Sequence, residues 1–329
     1  MTSVPGVGVS VIDTLMTLME FAGPTGQEEP VLAWCRETWA ALGAEVTVSP
    51  IGNVFARVKA DGPRLLVEGH ADEIGFVVKS IDRRGFLWLA DAQGGSRAFH
   101  QRFFVGQNAL VVTRTGRVPG IFAAPSGHVL ATKPEFTGRL DANDVFVDIG
   151  AESKEEAEML GTHPGAGVLW NPPSQRLGHR IGGKAIDDRV ALALATHLLR
   201  DLDRTLLAFD LTVAATVQEE IGLNGAYSLA GPGFDRAIAI DNGPIGDYPG
   251  VDEREMPLAL GAGPALIYKD SMTHYDRRII NQLLDVAAEN EIPAQQAVYQ
   301  GIGTDGAALI KAGIPTALLA IPTRYTHTA

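Results

Sequence analysis

Residues 211–224 read LTVAATVQEEIGLN, an apolar run that carries directly into two adjacent glutamates, Glu219 and Glu220. Val, Ala, Leu and Thr without polar alternation are the pattern of a strand buried on both faces, which in soluble proteins belongs to a largely parallel sheet covered by helices. Such a strand ordinarily stops before it meets unpaired charge, so two carboxylates at its downstream end need partners. Successive side chains on an extended chain point to opposite sides. This predicts that Glu219 and Glu220 face different neighbours and take different roles, such as proton transfer and cation binding. A strand that ends in solvent with two charges is the plain alternative, and the choice depends on what other segments supply.

Toward the N-terminus, residues 11–42 show two helical patterns separated by Gly23-Pro24. The second opens with Thr25-Gly26-Gln27-Glu28, whose spacing predicts a capping box between Thr25 and Glu28, and its apolar face runs Val31, Cys35, Trp39, Leu42. Strands are expected at 45–48 and 54–58, joined across Gly52-Asn53, and at 64–67, leading into Glu68-Gly69-His70-Ala71-Asp72-Glu73. Between residues 76 and 178, short strand-like runs alternate with glycine-rich turns. The helical pattern there, AESKEEAEML, carries a second capping box from Ser153 to Glu156. Beyond Gly183 the α/β pattern resumes. It comprises a helix over 188–202, the strand ending at Gln218, a strand at 237–240, helices over 276–289 and 306–312, and an apolar strand over 316–321. The expected fold is α/β, a mixed sheet sandwiched by helices, built from residues 1–75 and 179–329 with a β-rich domain inserted at 76–178.

A net charge of -12 with no Lys/Arg cluster excludes a surface made for nucleic acid or an anionic membrane. The single cysteine, Cys35, excludes a disulfide framework and a Cys-ligated metal, and suits a reducing cytoplasm. The N-terminal stretch has no Lys or Arg before Arg36, so it lacks the charged region of a secretion signal, and no apolar stretch reaches the length of a membrane span. The expectation is a cytoplasmic protein.

Five places put His, Asp or Glu at the downstream end of an expected strand or the front of a helix: His70 with Asp72, Asp187 with Asp188, Glu219 with Glu220, Asp241, and His327. In open α/β sheets the crevice beyond the carboxyl ends of the strands gathers distant segments of this kind. Two imidazoles with three or four carboxylates are the ligand set for a pair of borderline divalent ions such as zinc, cobalt or manganese. Asp72 lies two residues from His70, on the same face, where it can orient the imidazole. Each residue alone has a plainer use. His70 fits a hydrogen-bonded structural histidine, Asp187 a helix N-cap, and Asp241 the start of a turn at Asn242-Gly243-Pro244, while His327 sits near the chain end.

Taken in order and spacing, GHADEIGFVV (69–78), GGKAIDDRV (182–190), TVQEEIGLNGA (216–226), IAIDNGPIGDYPG (238–250) and RYTHT (324–328) resemble the metal-site motifs of the M42 family of metallo-aminopeptidases. The resemblance extends to DVFVDIGAESKEEAE (144–158) and GTDGAALIKAGIPT (303–316). It implies a dinuclear-metal exopeptidase-like fold whose inserted domain serves dimerisation. It also implies two divalent ions per subunit, zinc or cobalt, with Asp187 bridging them, His70 and Asp241 completing one site, and Glu220 and His327 completing the other. Glu219 would be the general base and Asp72 the support of His70. The implied reaction is release of single N-terminal residues from short peptides. The implied assembly is a homo-oligomer of dimers, a dodecamer, and the Asp187–Asp188 peptide bond is expected to be cis. The sequence departs from the family pattern at Ala71, where Met is usual, at Asn242-Gly243 and at Thr328, none of them a ligand. Family chains usually continue into a further helix where this one stops at Ala329.

A glycoside hydrolase needs two carboxyl groups flanking one bond, about 5–9.5 Å apart, and leaves His70 and His327 unused. A dinuclear deacylase or carboxypeptidase would share every ligand and differ in its substrate pocket, so the family resemblance alone favours an aminopeptidase. A metal-binding but inactive scaffold does not account for Glu219.

Overall fold

In a computed structural model, which describes residues 8, 10–92, 105–132, 144–230 and 233–327, the run that begins at Leu211 lies in a strand, Asp210–Thr216, with all seven residues buried. The chain begins with helices α1 (Val11–Met19) and α2 (Glu29–Ala41), then strands β1 (Glu45–Val48), β2 (Val54–Val58) and β3 (Arg64–His70). There follow β4 (Phe76–Ile81), β5 (Leu87–Asp91), β6 (Asn108–Thr113), β7 (Gly116–Ala123), α3 (Gly127–Leu130), β8 (Phe146–Asp148), α4 (Lys154–Met159), β9 (Gly167–Trp170), β10 (Gln175–Leu177) and β11 (Arg180–Gly182). The α/β pattern then returns with α5 (Ile186–Asp201), β12 (Asp210–Thr216), α6 (Asn224–Tyr227), β13 (Arg236–Pro244), β14 (Ala265–Lys269), α7 (Arg277–Glu289), β15 (Gln295–Val298), α8 (Asp305–Lys311) and β16 (Thr316–Thr323). Among the described residues no helix is long and apolar enough to cross a membrane.

Two compact units result, Met1–Glu73 with Ala185–Thr326, and Ile74–Lys184 with His327–Ala329. The first holds an eight-stranded sheet in the order β1-β2-β12-β3-β13-β16-β14-β15. Its centre is parallel and its flanks are mixed, because β12, β3, β13 and β16 run together while β2 and β14 oppose their inner neighbours. Helices cover both faces, as a strand without polar alternation requires. Leu66 and Ala237 pack with Leu309 of α8 on one face, while Gly69 meets Ala191 of α5 on the other. The second unit, taken by itself, is a closed barrel in the order β4-β5-β8-β7-β6-β9 with an aromatic centre in which the Phe76 and Trp170 rings lie 4.9 Å apart, edge to face.

Register is what positions the chemistry. Thr216 at the end of β12 pairs level with His70 at the end of β3, and Ala239 of β13 pairs with Glu68, so two residues further on Asp241 comes level with His70. Three carboxyl-terminal strand ends therefore meet at one height. Asp241 does not begin a turn, because β13 continues through Asn242, Gly243 and Pro244 in register with Ile321, Pro322 and Thr323 of β16.

Several sequence expectations need correction. The Thr25–Glu28 capping box does not form. Pro30 sets the first turn of a helix that starts at Glu29, and the Thr25 hydroxyl donates instead to Asp72 at 2.9 Å. The Ser153 box is half made: Ser153 accepts from the Glu156 amide, but the Glu156 carboxylate takes the Glu152 amide rather than that of Ser153. The strand expected to reach Gln218 stops at Thr216, and β14 and β15 were not foreseen, the latter being a short, polar edge strand with sequence QQAV.

Gly69 permits the close approach of α5. A Cβ there would lie 2.2 Å from that of Ala191 and 2.6 Å from Asp188 Oδ2. Gly69→Ala should cost about 1–3 kcal/mol, read as a lower midpoint of thermal unfolding. An unchanged midpoint would show that α5 can move away freely.

Candidate metal centre

His70 is buried and held at both ring nitrogens. Nδ1 lies 3.2 Å from the Asp72 carbonyl oxygen and 3.3 Å from Asp72 Oδ1, while Nε2 lies 3.0 Å from Asp187 Oδ1. Nε2 also stands 3.9 Å from Glu219 Oε2 and 4.0 Å from Asp241 Oδ1. One imidazole nitrogen thus faces carboxylates from three separate elements. Ligand atoms of His70, Asp187 and Asp241 lie within 4.8 Å of one another, and so do those of His70, Glu219 and Glu220.

The backbone around Asp187 is shaped to present it. Ala185 takes a left-handed φ of 56° at the helix N-cap, the Asp187–Asp188 peptide bond is cis, and neither aspartate has helical torsions. Asp187 is therefore not the cap that its position suggested. The capping bond comes from Asp188, whose Oδ1 accepts from the Ala191 amide at 3.4 Å while its Oδ2 accepts from the His70 amide at 3.2 Å. The neighbouring Arg189 is fully buried. Its guanidinium donates to the Ala71 carbonyl and, at 3.3 Å, to Glu73, fixing the segment between His70 and the barrel strands.

The two glutamates do not lie on an extended strand. Gln218 adopts a left-handed φ of 55°, and beyond it the chain turns, the Glu219 carbonyl accepting from the Gly222 and Leu223 amides, so that both Glu219 and Glu220 bring a carboxylate oxygen to His70. Four successive amides of this turn are held by side chains. Val217 donates to Asn53 Oδ1 (3.1 Å), Gln218 to Glu28 Oε1 (3.2 Å), Glu219 to Asp72 Oδ1 (3.0 Å) and Glu220 to Asp72 Oδ2 (3.2 Å). Asp72 thus supports the glutamates as well as His70, and Asn53 and Glu28 join the site from segments that sequence periodicity reads only as a hairpin turn and a helix start. His327 is exposed, with a φ of 55°, and groups with the second compact unit.

Crowded negative charge dominates the electrostatics. Burial first, and then repulsion from Asp187, pushes the Asp241 carboxyl well above its usual range; burial and the neighbouring Glu220 and Asp241 do the same to Glu219. Glu68, fully buried on β3, is raised by burial and by Asp305, Asp188 and Asp241. Burial opposes charge on His70, but the bonds to Asp187 and Asp72 outweigh it and raise its pKa well above the usual value. An imidazole ringed by carboxylate oxygens at 3.0–4.0 Å is a donor set that fits a borderline divalent cation, and such a cation would neutralise the charge that the buried carboxyls cannot.

The M42 glutamyl aminopeptidase family matches residues 52–329. The chain is 33% identical to a TET aminopeptidase from the marine sediment archaeon Thaumarchaeota archaeon SCGC AB-539-E09. The two structures share a TM-score of 0.88 over 97% of this chain and 89% of that one. It is similar also to the Pyrococcus horikoshii TET1 peptidase, which can assemble into a tetrahedron or a large octahedral shell, with 28% identity, a TM-score of 0.86, and coverage of 97% and 93%. Among sequences, it is 30% identical to the lysyl aminopeptidase of Pyrococcus furiosus across 86% of this chain and 80% of that protein.

Protons and metal should compete for this cluster. The raised pKa values of His70, Glu219 and Asp241 mean that the metal-free site holds protons at a pH where isolated side chains would have released them, and metal entry must displace them. Zinc affinity should therefore rise with pH from the ordinary imidazole pKa of about 6.5 upward, by about tenfold per unit for each proton displaced. Calorimetric titrations at several pH values check this; equal affinities across that range would contradict it.

Proposed function

The chain belongs to the M42 family and is a metal-dependent aminopeptidase, and on that footing we propose that it removes the N-terminal residue from short peptides with two divalent ions, zinc or cobalt, per chain. Asp187 with His70 and Asp241 would hold one ion, and Asp187 with Glu220 and His327 would hold the other. The observation that carries this reading is the meeting of Asp187, Glu219 and Asp241 around His70 Nε2, from three elements whose only common feature is the level of the strand ends. Divalent ions held there supply Lewis-acid polarisation of the scissile carbonyl and ease deprotonation of the attacking water.

Glu219 is the general base. Its carboxyl is buried, its amide is tied to Asp72, and its Oε2 stands close to the ligand cluster, so it can take a proton from water at that atom and pass it to the leaving amine. Asp72 orients His70 through Nδ1, fixing which ring nitrogen faces the cluster.

Residues 1–75 and 179–329 form the catalytic domain in this reading, and 76–178 an inserted dimerisation domain; the two compact units support that division, with internal borders at 73/74 and 184/185, although 327–329 group with the second unit. The shells built by the Pyrococcus horikoshii relative support a homo-oligomer, proposed to be dimers assembled into a dodecamer.

A panel of aminoacyl chromogenic substrates, assayed with chelator and after metal add-back, tests the reaction: turnover should require metal, and its absence for every substrate would refute the proposal. Within that assay the two glutamates should separate. Glu219→Gln should lower kcat by roughly 10²-fold or more with metal content unchanged, while Glu220→Gln should lose metal and recover in part with excess metal. Equal metal loss in both variants would reverse the assignment of base and ligand.

A further inference from the structure

Glu28 stands at the N-cap of α2 yet makes no capping bond with that helix. It is 5% exposed, and a buried carboxyl group at a helix end normally serves the helix amides. Here both hydrogen bonds to other residues go to one oxygen, Oε1, which accepts from Gly26 N at 2.7 Å and from Gln218 N at 3.2 Å, 190 residues away. Gln218, with its left-handed φ, opens the turn that carries Glu219 and Glu220, both of which reach His70. For a residue with a side chain that conformation is uncommon and costs energy, which contacts from outside the turn can offset.

Its neighbours in the turn are held by groups with several duties. Asn53 also donates to the Gly225 carbonyl at 3.0 Å and to Ser228 at 2.9 Å, and Asp72 also serves His70 and Thr25. Glu28 has no such second duty toward the site, and Gln218 is the one residue of the turn that it holds. We propose that Glu28 is a positioning residue: by fixing the Gln218 amide it locks the turn that places the general base Glu219 and the ligand Glu220 beside His70. This rests on the aminopeptidase reading for the roles of the two glutamates, and the position of Glu28 acts on the reaction only through them.

The placement of both bonds on Oε1 gives a sharp test with the full-length chain. A glutamine at this position has the same reach and an acceptor oxygen, so Glu28→Gln can make both bonds. Asp is one methylene shorter and keeps the charge but not the reach, and Met keeps the length but has no oxygen. Hydrogen exchange of peptides covering 217–220, measured on metal-free protein, reads the turn itself; kcat and KM of metal-loaded protein read its consequence.

Glu28→Gln should match wild type in both. Glu28→Asp and Glu28→Met should speed exchange at 217–220 by about tenfold or more, and lower kcat by about 10–100-fold with KM within about threefold, as expected when a catalytic group is displaced by a fraction of an ångström to an ångström. Wild-type exchange and kcat in Glu28→Asp would overturn the proposal. So would a loss in Glu28→Gln equal to that in Glu28→Asp, or faster exchange spread evenly over α2 and β2 with the turn no different from them. Should Glu28→Met not fold, the Gln and Asp pair decides alone. Should metal-loaded wild type release no amino acid from any substrate, the aminopeptidase reading fails, and exchange at 217–220 still decides whether Glu28 holds the turn.

Discussion

One carboxylate, that of Asp72, joins the two halves of the site. Its oxygens receive the Glu219 and Glu220 amides and the Thr25 hydroxyl, and its Oδ1 lies 3.3 Å from His70 Nδ1. Burial alone would raise its pKa, but the His70 ring and these donors outweigh burial and hold it below the usual range, so it stays ionised. Each donor depends on that charge. The segment after β3 and the turn after β12 come from strands paired in parallel, and the backbone pairing runs on to the Ala71 amide, which donates to the Thr216 carbonyl at 2.8 Å, so the glutamates further along need a separate link to the His70 side. Asp72 supplies that link, and Glu28 and Asn53 extend it along the turn.

Around this link the site is deliberately unfavourable without a cation. Carboxyl groups that would ionise freely on the surface are buried against one another, and the pKa values of Glu219, Asp241 and Asp188 are all pushed up, by burial first and by neighbouring charge second. Such clusters are characteristic of functional sites, because a fold gains nothing from them structurally. The rigid parts around them absorb the cost: a fully buried strand β12, the close approach of α5 at Gly69, and the buried Arg189–Glu73 pair.

Much of this is legible in the sequence because its signals are strong ones. The run LTVAATV has one reading as a doubly covered strand, and His, Asp and Glu recur where strands of such a sheet end. Two kinds of feature escape. Local turn geometry is one: alternation along an extended chain predicts that Glu219 and Glu220 diverge, but the extended chain ends before them at the left-handed Gln218 and a turn closed on the Glu219 carbonyl, and no residue type marked that position. Long-range use of a locally plausible residue is the other. Thr25 and Glu28 have the spacing of a capping box, yet their side chains bond elsewhere, Thr25 to the Asp72 carboxylate and Glu28 to the Gly26 and Gln218 amides. A short polar edge strand such as β15 carries too little apolar pattern to register at all.

The central claim is that His70, Asp187 and Asp241 hold a divalent ion in the crevice beyond the strand ends. Anomalous diffraction at the zinc or cobalt edge, from crystals of the metal-loaded chain, tests it most directly. The predicted result is a peak at about 2.0–2.2 Å from His70 Nε2 and from one oxygen each of Asp187 and Asp241, with a second peak that shares Asp187 with Glu220. Metal found elsewhere, with His70 Nε2 still hydrogen-bonded to Asp187 at its present 3.0 Å, would contradict it.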